Sequence, residues 1–100
     1  MPIHNRFQTT DWQFAEEPNT LVLSSRQVME DRLPVLEVAR DADGSLRFMS
    51  GREASMSDVR FVILDAVLTL DPSLHATADT PAGQIARRPE PGAPWVVEKS

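Results

Sequence analysis

The stretch PVLEVARDADGSLRFMSG, residues 34–51, reads as a β-hairpin whose turn is specified residue by residue. Asp41 at the first turn position and Gly44 at the fourth suit a type I turn that ends in a left-handed glycine and a bulge. That turn sets Val38 opposite Phe48 and Arg40 opposite Leu46, so Leu36, Val38, Leu46 and Phe48 share one face. A two-residue turn at Asp43-Gly44 instead sets Arg40 against Arg47, a like-charge pair that opposes pairing. The bulged register is the expected one.

Before the hairpin, residues 20–23 read as a short strand. Ser24 then offers a helix N-cap, with Gln27 three positions on completing a capping-box pattern. The helix is expected over residues 25–32, because Pro34 disfavours helical backbone at Leu33. Residues 1–18 carry Phe7, Trp12 and Phe14 without sustained periodicity, which predicts an extended arm whose aromatics pack on a domain formed by residues 19–100.

After the hairpin comes a polar loop, residues 51–58. The run VRFVIL, residues 59–64, is apolar on both faces and predicts a central strand covered on each side. Residues 65–70 predict a short helix capped by Asp65, and Asp71-Pro72 restarts a helical turn with Asp as cap and Pro at its first position. Val67, Leu70 and Leu74 are expected to face the core. Residues 84–88 and 94–98 predict a closing strand pair anchored by Trp95. The expected class is α+β: a mostly antiparallel sheet of about five strands with two or three short helices packed against it.

Composition narrows the function. With 41% hydrophobic and 25% charged residues, the 100-residue chain can form one folded domain. It has no cysteine, which removes disulfides and thiolate chemistry and suits a reducing cytoplasm. The N-terminus lacks a basic start followed by an apolar run, so no secretory leader is expected, and no run approaches the roughly 20 apolar residues of a membrane span. A net charge of −5 opposes nucleic-acid binding and favours a basic protein partner.

Few residues suggest chemistry. Asp41-Ala42-Asp43-Gly44-Ser45 echoes the centre of a calcium loop, but Ala39 and Ser50 stand where the flanking acids belong, and the string is better read as the turn. Asp71, His75 and Asp79 fall at four-residue steps that could serve metal or acid–base chemistry, yet Asp71 already has a role as a cap and a solvated helix face is expected. His4 is too remote in sequence to join them. Serines lack a nucleophile context, the four glycines are unclustered, and Arg87-Arg88 is too small for an anion site. Trp12 and Trp95 read as packing residues. No enzyme activity and no cofactor are expected.

Asp43-Gly44 followed by Leu46-x-Phe48-x-x-Gly51, then Asp71-Pro72-Ser73-Leu74, Pro81-x-Gly83, Ala86-x-Arg88 and Pro94-Trp95, resemble the immunity-protein-33-like domain family. The resemblance spans residues 19–97. It departs at Leu46, where the family often carries Trp. It implies a small, non-enzymatic bacterial protein that binds a protein partner, as some members are found beside polymorphic toxins. Contacts are then expected at Asp41, Asp43, Arg52, Glu53 and Asp58, on the hairpin turn and the following loop. The alternatives are a self-assembling module that pairs through a strand edge, or a metal-dependent regulator or enzyme using Asp71, His75 and Asp79.

Overall fold

The computed structural model describes residues 12–99. Phe7 and His4 of the expected arm lie outside the described residues. The chain runs β1 (Leu21–Ser25), α1 (Arg26–Met29), β2 (Glu37–Arg40), β3 (Leu46–Met49), a 3-10 helix (Met56–Asp58), β4 (Val59–Ile63), α2 (Leu64–Leu70), a second 3-10 helix (Pro72–Thr77), β5 (Gln84–Arg87) and β6 (Val96–Lys99). The six strands form one mixed sheet in the order β4-β1-β3-β2-β5-β6. Every pairing is antiparallel except β1 with β3. The α+β class with a mostly antiparallel sheet is therefore the observed one, with six strands rather than five.

The hairpin has the expected register: Val38 faces Phe48 and Arg40 faces Leu46. Gly44 N–H donates to Asp41 C=O and Asp41 N–H to Ser45 C=O, both at 2.8 Å, and Gly44 sits at φ +92°. A β-carbon is strained at that φ, which is why glycine closes this turn.

The core lies on one face of the sheet. Val22, Val38, Leu46, Phe48 and Ala86 point into it from the strands. Val28 of α1, Leu64, Val67 and Leu68 of α2, and Leu74 of the second 3-10 helix join the same cluster. Phe14 enters it too, its ring 6.3 Å from that of Phe48. Val38 and Phe48 are fully buried, each worth roughly 1.5–3 kcal/mol of apolar transfer.

Several local expectations shift. Ser25, not Ser24, caps α1: its hydroxyl accepts the Val28 N–H, while the Ser24 hydroxyl donates to Phe48 C=O and ties β1 to β3. The helix ends at Met29 because the chain turns left-handed at Arg32, φ +59°, with Leu33 N–H bonded back to Gln27 C=O. Ile63 rather than Asp65 precedes α2, and no side chain caps it. Asp71 caps the second 3-10 helix as expected, accepting Ser73 N–H at 3.0 Å. Val67 and Leu74 face the core, but Leu70 is exposed, since the chain leaves α2 there. The closing strands are Gln84–Arg87 and Val96–Lys99.

The largest correction concerns β4. Among the described residues it is an edge strand, paired only with β1, and Phe61 is 72% exposed. Its apolar residues on both faces signalled burial on both faces. In the structure Val62 packs on the core, whereas Phe61 and Ile63 point away from it.

Candidate functional site

The residues that the sequence marks for chemistry or recognition are dispersed. Asp41 forms an ion pair with Arg47 at 3.0 Å across the hairpin. Asp43 is exposed and accepts Ser45 N–H at 3.0 Å, a bond that lowers its pKa. Arg52 is exposed. Glu53 and Asp58, expected as exposed loop acids, instead fold inward.

Glu53 is the hub of the loop. Its Oε2 accepts from the Ser25 hydroxyl at 2.5 Å, Ser50 N–H at 3.0 Å and the Ser50 hydroxyl at 2.9 Å, and its Oε1 accepts Gly51 N–H at 2.9 Å. Burial pushes its pKa up, but these donors outweigh burial and hold it below the ordinary glutamate value. Asp58, 6% exposed, accepts from Ala54 N–H and the Gln27 amide, both at 2.9 Å, and from Ser55 N–H. With Arg26 nearby, these bonds lower its pKa to about 2. Both carboxylates are consumed in holding residues 50–58 against β1 and α1.

The Asp71, His75 and Asp79 set does not converge. Asp71 accepts from Arg88 at 2.9 Å and from the Ser73 hydroxyl at 2.6 Å. His75 Nδ1 accepts Gln13 N–H at 3.1 Å, and its ring meets Trp12 edge-on at 5.4 Å and Phe14 at 5.8 Å. Asp79 is exposed. Among the described residues no group of three or more metal-ligating acids or imidazoles forms.

Arg88, read in sequence as half of a small basic spot, is buried at 5% exposure. It donates to Val35 C=O and Asp71 and lies over the Trp95 ring. Arg40 is also internal: it donates to the Thr80 and Ala78 carbonyls and pairs with Glu16. Neither could have been singled out by spacing, because their partners come from distant segments.

What remains is the sheet face opposite the core. Register places Phe61, Leu23, Arg47, Ala39, Ile85 and Glu98 in one row across all six strands. No helix of the described residues packs its buried apolar side chains on this face. Its two halves differ. Toward β5 and β6 the charges pair among themselves, with Arg87 3.6 Å from Glu37 and 3.7 Å from Glu98, and Ala39 and Ile85 are buried. Toward β4 and β1 lie Leu21 at 69% exposure, Phe61, Ile63 and half-buried Leu23, with no charged residue among them. Exposed large apolar groups gathered on one patch mark an interaction surface. Sequence reasoning missed this patch because the same side chains read as core. The signal that could have found it is the phase: Leu21, Leu23, Phe61 and Ile63 occupy the strand positions opposite to Val22 and Val62.

A second concavity, a groove of about 340 Å³, runs beside the exit of α1 and is walled by Val28, Leu33, Val35 and Leu70. Arg32 and Asp71 stand at it, but Asp71 is already bound to Arg88 and Ser73. Among the described residues no helix is long and apolar enough to cross a membrane. Compared with protein-family models, curated proteins and solved structures, the chain has no match.

Proposed function

We propose that this chain is a non-catalytic binding module that engages another protein through the apolar half of its open sheet face. The observation that carries this reading is the exposure of Phe61 beside Leu21 and Ile63 on a face without a covering layer among the described residues. Aromatic side chains of this kind anchor protein interfaces, because they bury a large area at little entropic cost. The polar side chains best suited to chemistry are engaged by neighbouring side chains and backbone amides, which supports binding over catalysis.

An immunity-type role in a bacterial cytoplasm, as the resemblance implies, is the form of such binding that fits a small acidic domain. The net charge of −5 would draw in a basic protein over distance, and the apolar patch would supply the contact. Asp43 and Arg52 are exposed as polar contacts outside that patch, while Asp41 is engaged by Arg47.

Co-purification from the native host tests the reading with two chains, the wild type and Phe61→Asp. The wild type is expected to retain a basic protein that the substituted chain loses, at an unchanged thermal midpoint. Equal recovery by both chains, or recovery by neither, would overturn it.

A further inference from the structure

The two edges of the sheet are built differently. β6 carries Glu98 and Lys99 and follows Pro94, the residues by which natural edge strands resist pairing. β4, the sequence Val59-Arg60-Phe61-Val62-Ile63, has one charge and no proline. That charge, Arg60, lies on the core-side phase of the strand and is held by Glu30 at 2.8 Å.

The backbone of β4 shows which groups this edge offers. Leu64 N–H donates to Thr20 C=O at 2.8 Å, one step beyond the Leu21↔Ile63 pair. In an antiparallel ladder bonded pairs alternate with non-bonded ones, so Val62 and Arg60 are bonded to β1, whereas Val59, Phe61 and Ile63 direct N–H and C=O off the edge. Val59 N–H is already taken by Met56 C=O. Among the described residues, Phe61 N–H and C=O and Ile63 N–H are left facing outward in mid-strand.

We infer that the strand which completes this edge is β4 of a second copy of the chain, antiparallel about a two-fold axis through Phe61. The argument is one of complementarity. An axis at Phe61 aligns the whole of β4 with itself, Val59 against Ile63 and Arg60 against Val62, and makes Phe61 a bonded pair with its copy. An axis at Arg60 or Val62 shortens the overlap, and the former also sets Arg60 against Arg60. A basic partner strand would find no acid at any of these five positions, whereas a second copy presents the same neutral, apolar edge despite the overall negative charge. Phe61 meets Phe61 on the open face, a favourable cross-strand aromatic pair. The two apolar half-faces then merge into one. Contact through a single strand covers at most roughly 1,200 Å² in total, so the pairing is weak and concentration-dependent.

This inference uses the backbone edge of β4, while the proposed function uses its side-chain face, and the experiment separates them. Light scattering of the full chain across concentration is expected to rise from monomer to dimer mass. Ile63→Pro removes an outward N–H at φ −82°, which proline tolerates, and is expected to give a folded monomer. The chain has no native cysteine, so Phe61→Cys is expected to form a disulfide-linked dimer under mild oxidation, since bonded antiparallel partners lie about 5.5 Å apart at Cα. Leu21→Cys, one strand further from the axis, is expected to stay reduced. A wild type that remains monomeric at every concentration overturns the inference, as does cross-linking of Phe61→Cys no faster than Leu21→Cys. If Ile63→Pro fails to fold, hydrogen exchange at the wild-type Phe61 and Ile63 amides decides. Protection that grows with concentration supports pairing; protection independent of concentration means that a segment of the same chain covers the edge, and overturns it. A monomer that retains the partner through Phe61 leaves the face reading standing alone.

Discussion

Arg88 lies over Trp95, its guanidinium carbon 4.3 Å from the centre of the indole ring. The same side chain donates twice to Val35 C=O, at 3.2 and 3.0 Å, and once to Asp71 at 2.9 Å. One buried cation thus joins the approach to β2, the start of the second 3-10 helix and the entry to β6. A guanidinium suits this position because it donates in a planar fork and stacks on an aromatic ring at once.

Arg88→Met should therefore destabilise the fold by about 2–3 kcal/mol, the range for losing hydrogen bonds from a charged donor, since Asp71 keeps its Ser73 donors and partial exposure. Arg88→Lys should recover less than half of that loss, because an ammonium cannot make the forked and stacked contacts together. Urea midpoints of the three chains measure this. A loss below about 1 kcal/mol for Arg88→Met would show that the other core contacts suffice.

Acid should weaken the fold in a defined window. Asp58 has its pKa lowered from 3.8 to about 2 by Ala54 N–H, the Gln27 amide, Ser55 N–H and Arg26. A lowered acid contributes stability that is fully present above pH 3.8 and is lost as pH falls through about 2. Glu53 and Asp71 are lowered too. Burial raises each, but the serine donors to Glu53, and Ser73 together with Arg88 at Asp71, outweigh it, so both add to the same acid-side loss. Thermal midpoints should be level near neutrality and drop below about pH 4, and Asp58→Asn should flatten the drop. An unchanged slope in that variant would remove Asp58 as its source.

Ser25→Ala should cost about 1–3 kcal/mol. The hydroxyl both caps α1 through Val28 N–H at 3.2 Å and donates to Glu53 at 2.5 Å. The loss should be accompanied by faster hydrogen exchange across residues 50–55, since Glu53 holds that loop. Ser24→Ala should loosen only the β1–β3 contact, through Phe48 C=O, and leave loop exchange unchanged.

Gly44→Ala should destabilise by about 1–2 kcal/mol through backbone strain alone, because a β-carbon there meets no atom within 4 Å. Gly44→Asn should cost less, since asparagine tolerates left-handed backbone better. Equal losses for the two, by denaturant titration, would mean that the strain at φ +92° is not what selects glycine.

The readable parts of the chain share one property: cause and effect lie within a few residues. Asp41 and Gly44 specify their own turn, and from it the whole β2–β3 register follows. Asp71 caps the helix that starts at its neighbour. Ser24 and Ser25 mark where this ends. Either serine could cap α1 on local grounds, and Phe48 C=O and Glu53 decide between them from residues more than 20 positions away.

The exposed apolar patch was illegible for the same reason. Val59–Ile63 is apolar enough to be a buried central strand, and only its neighbours tell whether it is. β1 pairs with β3 in parallel, which leaves β4 on its other side with no strand of the described residues beyond it. Glu53 and Asp58 resemble solvent-exposed loop acids until Ser25, Ser50 and Gln27 are brought beneath them.

From its residues alone the chain prescribes an α+β domain, an acidic surface and a hairpin with one permitted register, because turn chemistry and strand alternation act over a few ångströms along the backbone. Folding in three dimensions settled which apolar strand is left at the edge, which arginine is buried and which acids turn inward. Those outcomes depend on contacts between segments far apart in the chain, where the free energy of burial belongs to the assembled neighbours and not to any one residue.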